Sequence, residues 1–343
     1  MQNLTTIYPN TENIVQTLEE RICGAYRLGR FISASEAGGS RNTCRVFRTS
    51  TGQWFARRRH GAYCDEKRVK FDHAAMLHLA RAGVQVKPPL VSEDGNTWLH
   101  DGEALWEVFE FIAGQNMRDG VEPDAAFLGA TLGNFHRSGA GFDLRYEKMG
   151  ARGETDPEQL LQNAKRLRND NPRLGPALES YERLITQATR DFPAEAYLAL
   201  PHTLVHGDVQ PANIIMGDEG VNVFVDFDWC AWRPRIYDLA FAVLCCCSSH
   251  EQPVGKGDIR ALTQSPYFNA GATENFLDAY EKSAGPLADA EKKYLGHQIA
   301  LTWCHVRIDG AFKVPREERR DFLSRPVPDD GYFSVCSGTI TYF

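Results

Sequence analysis

One stretch limits the possible folds more than any other: LVHGDVQPANIIMGDEGVNVFVDFDWCAWRPRIYDLAFAVL, residues 204–244. It places one His, five Asp and two Asn among runs as apolar as NII, VFVDF and LAFAVL. Charge buried in such surroundings is costly unless it is paired or holds a metal. The segment therefore calls for a cation, a reacting group, or both. LVHGD reads as an apolar strand ending in His206, Gly207 and Asp208, and VNVFVDFD as a second strand delivering Asp226. Between them PANIIM carries Asn213, and its apolar side chains tie that loop into a core. Paired as a hairpin through the GDEG turn, the two strands bring Asp208, Asn213 and Asp226 to one end.

A carboxylate beside an amide oxygen is a hard-oxygen set suited to Mg²⁺, which takes few protein ligands and fills its shell with phosphate and water. A second carboxylate left off the metal can accept a proton from an attacking hydroxyl. That division of labour is the chemistry of phosphoryl transfer.

The rest of the chain divides in two. Near the N-terminus, TENIVQTLEERI sets Ile14, Leu18 and Ile22 at helical spacing. RFISASEAGGSRNTCRVFRTSTGQWFARRR follows as three strands around a Gly-containing turn and a TSTGQ hairpin. DEKRVKFDHAAMLHLARAG reads as an amphipathic helix with Val69, His73 or Ala74, Met76 or Leu77, and Ala80 near one face and Gly83 as its cap. Strands return through WEVFEFIAG, so residues 1–110 form a small sheet with one packed helix. Beyond Gly114 the periodicity turns helical, with Leu128, Leu132 and Phe135 on one face of DAAFLGATLGNFHRSG. No structure is assigned to the Pro-, Arg- and Asp-rich tail from Lys313.

A net charge of −7 gives a nucleic-acid partner no electrostatic support. Residues 1–110 carry 14 Lys+Arg against 13 Asp+Glu, and the remainder 24 against 32. The acidic part suits a cationic substrate, though solvated helices explain it equally well. Nine cysteines, three of them consecutive at Cys245–Cys247, include no CxxC pair, which points to buried thiols in a reducing cytoplasm. The N-terminus shows no signal-peptide pattern. LAFAVLCCC is far short of the roughly 20 residues a membrane helix needs, so no membrane association is expected.

HGDVQPANII…VDFD…YDLAF resembles the aminoglycoside phosphotransferase and choline kinase-like superfamily, relatives of the protein kinases. The resemblance implies an α+β, two-lobed protein kinase-like fold. A small antiparallel-sheet N-lobe (1–110) would bind nucleotide, and a mostly helical C-lobe (111–343) would hold the catalytic and acceptor sites. It implies ATP and Mg²⁺ as cofactors and a small-molecule hydroxyl as acceptor, with aminoglycosides, choline, ethanolamine, homoserine and sugars all used across the superfamily. Residue by residue, Asp208 resembles the catalytic base, Asn213 and Asp226 the metal ligands, and His206 and Asp238 structural supports of the catalytic loop. Arg57 stands at the place of the phosphate-gripping strand lysine, with Arg58 the competing choice, and Asp72 at the place of its helix acid. Gly38, Gly39 and Ser40 would cover the phosphates, and the Glu110 carbonyl and Ile112 N–H would meet adenine. Asp228 replaces the glycine of Asp-Phe-Gly and is expected to face water rather than a second metal, while Trp303 is a candidate for the acceptor pocket. Rival readings are a nucleotide-binding pseudokinase, motivated by the missing lysine, a protein Ser/Thr kinase, and a metal-dependent phosphoesterase.

Overall fold

The computed structural model describes residues 16–38, 42–143, 148, 152–217, 222–254, 259–325 and 331–332. Ile14, Gly39 and Ser40 lie outside them.

Helix α1 (Leu18–Ala25) starts with a reciprocal capping box between Thr17 and Glu20. Strands β1 (Phe31–Glu36), β2 (Thr43–Thr49) and β3 (Gly52–Arg58) follow, then α2 (Glu66–Arg81), β4 (Leu99–Asp101) and β5 (Ala104–Glu110). The strands form one antiparallel sheet in the order β1-β2-β3-β5-β4.

Strand alternation sorts its two faces. Ala56, Trp106 and Val108 point outward with Phe47 and are sealed by Ile22, Cys23 and Tyr26 of α1. Arg57, Arg59 and Glu107 point to the other face and are buried, whereas Arg58 is exposed. A second helix thus packs on this lobe besides α2, and α2 itself faces the C-lobe: Phe71, Ala75, Met76 and Leu79 join the large core. Its buried stripe includes His73 and Met76, while Ala74 and Leu77 are exposed. Gly83 (φ +81°) ends α2 with the paired Gly83→Ala80 and Val84→Leu79 bonds of a Schellman motif.

The chain crosses over through β6 (Gln115–Asn116) into α3 (Glu122–Gly139). Leu128, Leu132 and Phe135 of α3 are fully buried. α4 (Pro157–Asp170), α5 (Gly175–Asp191) and α6 (Ala194–Leu198) come next, then β7 (His202–Val205), β8 (Ile214–Met216), β9 (Asn222–Phe224) and β10 (Ala231–Pro234). Helices complete the lobe: α7 (Ile236–Phe241), α8 (Ile259–Leu262), α9 (Ala270–Ala284), α10 (Asp289–Ala311) and α11 (Arg319–Leu323). α10 is buried around most of its girth, from Leu295 to Ala311, as befits a central helix. The described residues of the tail left unassigned in the sequence reach this core: Val314, Phe322, Leu323 and Tyr332 are buried, and the Tyr332 hydroxyl donates to Ser248 Oγ at 2.6 Å.

The hairpin differs from expectation. β9 pairs with β8, and β7 pairs instead with β10, beyond Asp226. Strands of three or four residues leave register weakly specified by pattern alone, and the apolar runs of 204–205 and 223–225 fit either pairing.

α3 and α9 cross at very close range. A Cβ on Gly129 would lie 2.1 Å from the Phe276 carbonyl oxygen, and one on Gly133 2.8 Å from that of Tyr280. Because backbone atoms cannot step aside cheaply, Gly129→Ala is expected to destabilise the protein by about 1–3 kcal/mol, despite improved helix propensity. Urea denaturation reads this out, and a variant as stable as the parent would show that the helices separate freely.

Candidate active site

The turn after β7 holds the first site residues. Gly207 (φ +84°) is required there, since a Cβ would sit 2.2 Å from the Trp229 carbonyl oxygen. His206 is fully buried against Phe135, Phe224 and Phe227. Its Nε2 donates to the Val225 carbonyl at 3.0 Å, and its Nδ1 accepts the Asp208 N–H at 3.3 Å. Burial holds its pKa down, so the ring is a neutral strut between the turn and the segment leading to Asp226. Asp238, at the start of α7, accepts the His206 N–H at 2.6 Å and the Gly207 N–H at 2.8 Å.

Asp208 is held by Asn213 Nδ2 and Gln210 Nε2, each donating to Oδ2 at 2.8 Å. Burial raises its pKa, against the opposing pull of these amides and His206. Asn213 also donates to the Asp208 carbonyl at 3.0 Å. With its amide hydrogens committed to Asp208, its Oδ1 is left as an acceptor for a cation. Val225 N bonds to the Asn213 carbonyl at 3.0 Å, which brings the segment carrying Asp226 alongside. Asp226 takes a left-handed backbone conformation (φ 65°, ψ 73°), a strain of about 1–3 kcal/mol for a non-glycine residue. Its side chain is 42% exposed and lines the cleft. Desolvation there, with Asp228 nearby, pushes its pKa up to about 7.

Three cations face four carboxylates in and behind that cleft. Arg57 lies directly across from Glu107 in the β3–β5 register and pairs with it at 2.8 Å. The same guanidinium reaches Asp226 at 3.0 Å and Asp228 at 3.3 Å. Arg59 pairs with Glu107 at 2.7 Å and Asp72 at 2.9 Å, and Lys148 closes on the other oxygen of Asp72. Burial would raise Glu107, but Arg57 and Arg59 hold it well below the usual carboxylate range. The helix acid Asp72 is therefore not the mate of Arg57; Glu107 takes that place, because cross-strand neighbours meet more directly than strand and helix.

Asp228 is also placed differently from expectation. It is 3% exposed and does not face water: Asn42 donates to Oδ2 at 2.8 Å, and Arg57 and Arg59 flank Oδ1. The two arginines outweigh its desolvation and lower its pKa.

Arg57, Asp208, Asn213, Asp226 and Asp228 line a cleft of about 630 Å³, the size of a small-ligand site. Gly38, Glu110 and Ile112 border it with Val46, Phe55 and Phe109, as does Arg57, whereas Asp72 lies behind it on Arg59 and Lys148. At its other end α10 contributes His305, Val306 and Asp309. Trp303, the sequence candidate, points instead into the core at 1% exposure. Among the described residues no three His, Cys, Asp or Glu side chains could hold a metal alone. One carboxylate, Asp226, plus the Asn213 oxygen fits an ion that takes its remaining ligands from phosphate. A divalent cation would also offset the excess of carboxylates here, since Asp208 is a fifth against the three cations.

Several participants were not anticipated. Glu107 carries a weak signal, a carboxylate alternating with Trp106 and Val108 in a buried strand. His136 is similar: it falls on the apolar face of α3, where it bridges Asp238 (3.0 Å) and the Tyr280 hydroxyl (2.7 Å). Lys148 has none.

A five-stranded antiparallel sheet over a helical lobe, with this loop at the mouth of the cleft, defines the kinase-like phosphotransferase class. The chain belongs to the phosphotransferase enzyme family, whose sequence profile matches residues 35–292. It is 27% identical over 172 residues to homoserine kinase of Brucella anthropi, spanning half of each chain. It is 25% identical over 268 residues to homoserine kinase of Rhodopseudomonas palustris, covering 74% of this chain and 75% of that one. Among solved structures, amicoumacin kinase hAmiN in complex with AMP-PNP, Ca²⁺ and Ami shares the fold at TM-score 0.66 and 14% identity, over 94% of this chain and 93% of the other. Among the described residues, no helix is long and apolar enough to cross a membrane.

Proposed function

We propose that the protein transfers the γ-phosphate of ATP to a hydroxyl of a small molecule, with an amino alcohol or aminoglycoside the favoured acceptor. The observation that carries this reading is the meeting of Asp208, Asn213, Asp226 and Arg57 on one cleft floor. Residues up to about 110 supply the nucleotide-binding lobe and the remainder the acceptor side. Asn213 and Asp226 would hold Mg²⁺, whose charge would offset that of the phosphates. Arg57 turns part of its guanidinium from Asp226 to a phosphate oxygen while Glu107 keeps it seated. Backbone groups at Glu110 and Ile112 meet the adenine, and the turn at Gly38 approaches the phosphates. Asp208 accepts the proton of the acceptor hydroxyl as its oxygen attacks phosphorus in line.

A protein acceptor is disfavoured by residues 227–235. They lead straight into β10, which pairs with β7, and then into α7, with no extended platform for a peptide. The free, mostly buried cysteines among the described residues accord with a cytoplasmic location.

The test follows the label of γ-³²P-ATP in the presence of a hydroxyl-compound panel. Label is expected on an alcohol, and chelation of divalent ions should reduce transfer to background. Label found solely on water would establish a phosphohydrolase instead.

A further inference from the structure

Glu154, between α3 and α4, lines the same cleft as Asp208. Its side chain is 9% exposed, and the hydrogen bonding of its carboxylate is incomplete. The Tyr237 hydroxyl donates to Oε2 at 3.1 Å, while Oε1 is enclosed and has no hydrogen-bond donor. The nearest cation, Arg233, stands 3.7 Å from Oε2, beyond hydrogen-bonding range. It cannot come closer easily: its guanidinium lies 4.8 Å from the Tyr237 ring and against Gly153, where a Cβ would fall 2.2 Å from Nη2. A nearly buried carboxylate with so few donors is costly, and that cost is relieved by a ligand that brings donors of its own. The terminal torsion of a glutamate is soft, so Oε1 can turn into the cleft without backbone movement.

The surroundings select the sign of that ligand. Asp208, Glu154 and Asp309 line this end of the cleft, against Lys313, the Arg233 guanidinium behind Glu154, and His305, which is already engaged by Asp309 at 3.2 Å, so the carboxylates still outnumber the permanent cations. Resting on the phosphotransfer reading above, we infer that Glu154 is the specificity-determining residue for a protonated amino group on the acceptor, which it binds while Asp208 addresses the hydroxyl. An ammonium offers up to three donors to Glu154, whereas a neutral hydroxyl or an acetylated amine offers one at most.

The test is calorimetric binding to protein loaded with Mg²⁺ and AMP-PNP, using matched pairs: ethanolamine against ethylene glycol, L-homoserine against 4-hydroxybutyrate, and an aminoglycoside against its N-acetylated form. In the parent and in Asp208→Asn, the amino member of at least one pair is expected to bind tenfold or more tightly, about 1.4 kcal/mol. In Glu154→Gln that preference should collapse, with AMP-PNP affinity unchanged. Should Glu154→Gln fail to fold, Tyr237→Phe removes the hydroxyl that orients the carboxylate and keeps the ring beside Arg233; the preference should then fall severalfold. No preference in the parent, or one that survives these substitutions, overturns the assignment. Preference without any phosphate transfer in the parent would instead sink the functional reading and leave Glu154 as an ammonium site.

Discussion

Asp208→Asn is expected to lower kcat by about 10²–10⁴-fold, the range that a lost general base commands. The substitution is nearly isosteric, and an amide oxygen can still accept from Asn213 and Gln210, whose bonds now converge on Oδ2 at 2.8 Å. The loop should therefore keep its shape, and the affinity for the magnesium–nucleotide complex should change only severalfold, since Asp226 and Asn213 are untouched. What disappears is the ability to take a proton, together with a negative charge facing the hydroxyl. Burial, which raises the Asp208 pKa, makes it a stronger base than an exposed carboxylate. Steady-state kinetics with parallel nucleotide titration measures both quantities. Turnover within tenfold of the parent would remove Asp208 from the proton transfer.

Asp238→Ala is expected to act through the fold. The carboxylate is fully buried and serves the His206 N–H, the Gly207 N–H and His136 Nε2 at 2.6–3.0 Å. Its removal leaves three interior groups without a mate and opens a cavity beneath the catalytic turn. Breaking such an arrangement costs about 3–5 kcal/mol. Gly207 is already pressed on the Trp229 carbonyl, so the turn has little room to relax without displacing Asp208. Denaturation midpoints and kcat should fall together. A variant within 1 kcal/mol of the parent, by the linear extrapolation of urea curves, would show that the turn is self-supporting.

Much of this was legible because the catalytic turn is local: His206, Gly207, Asp208 and Asn213 lie within one short segment whose apolar neighbours fix where it is buried. The change of period near Gly114 marks off a sheet-rich first part from a helical remainder, and the family resemblance implied the two-lobed α+β fold. The pairing of β7 was misread because three- and four-residue strands carry too little pattern to choose a neighbour. The choice between Arg57 and Arg58 stayed open, since a one-residue slip exchanges their faces, and the mate could not be read either, since Asp72 and Glu107 are both acids on neighbouring elements. Only the strand register decides for Glu107. Asp228 was misplaced for a related reason: an acid next to an Asp-Phe pair looks solvent-bound until two arginines from a distant sheet are brought over it. Lys148 and Glu154, both between α3 and α4, belong to a stretch with no periodicity of its own. Lys148 is placed by Asp72 of the other lobe, and Glu154 by Tyr237 within its own.

The seating of Arg57 on Glu107 has a further consequence. Both residues belong to adjacent strands, but α2 holds the same carboxylate from behind: His73 Nε2 lies 2.5 Å from Glu107 Oε1, and Arg59 ties Asp72 to Glu107 as well. An outward swing of α2 would strand Asp72 and also strip Glu107 of its histidine partner, loosening the seat on which Arg57 rests. A force applied to that helix is thereby transmitted to the phosphate grip, although the grip's own mate sits on a strand.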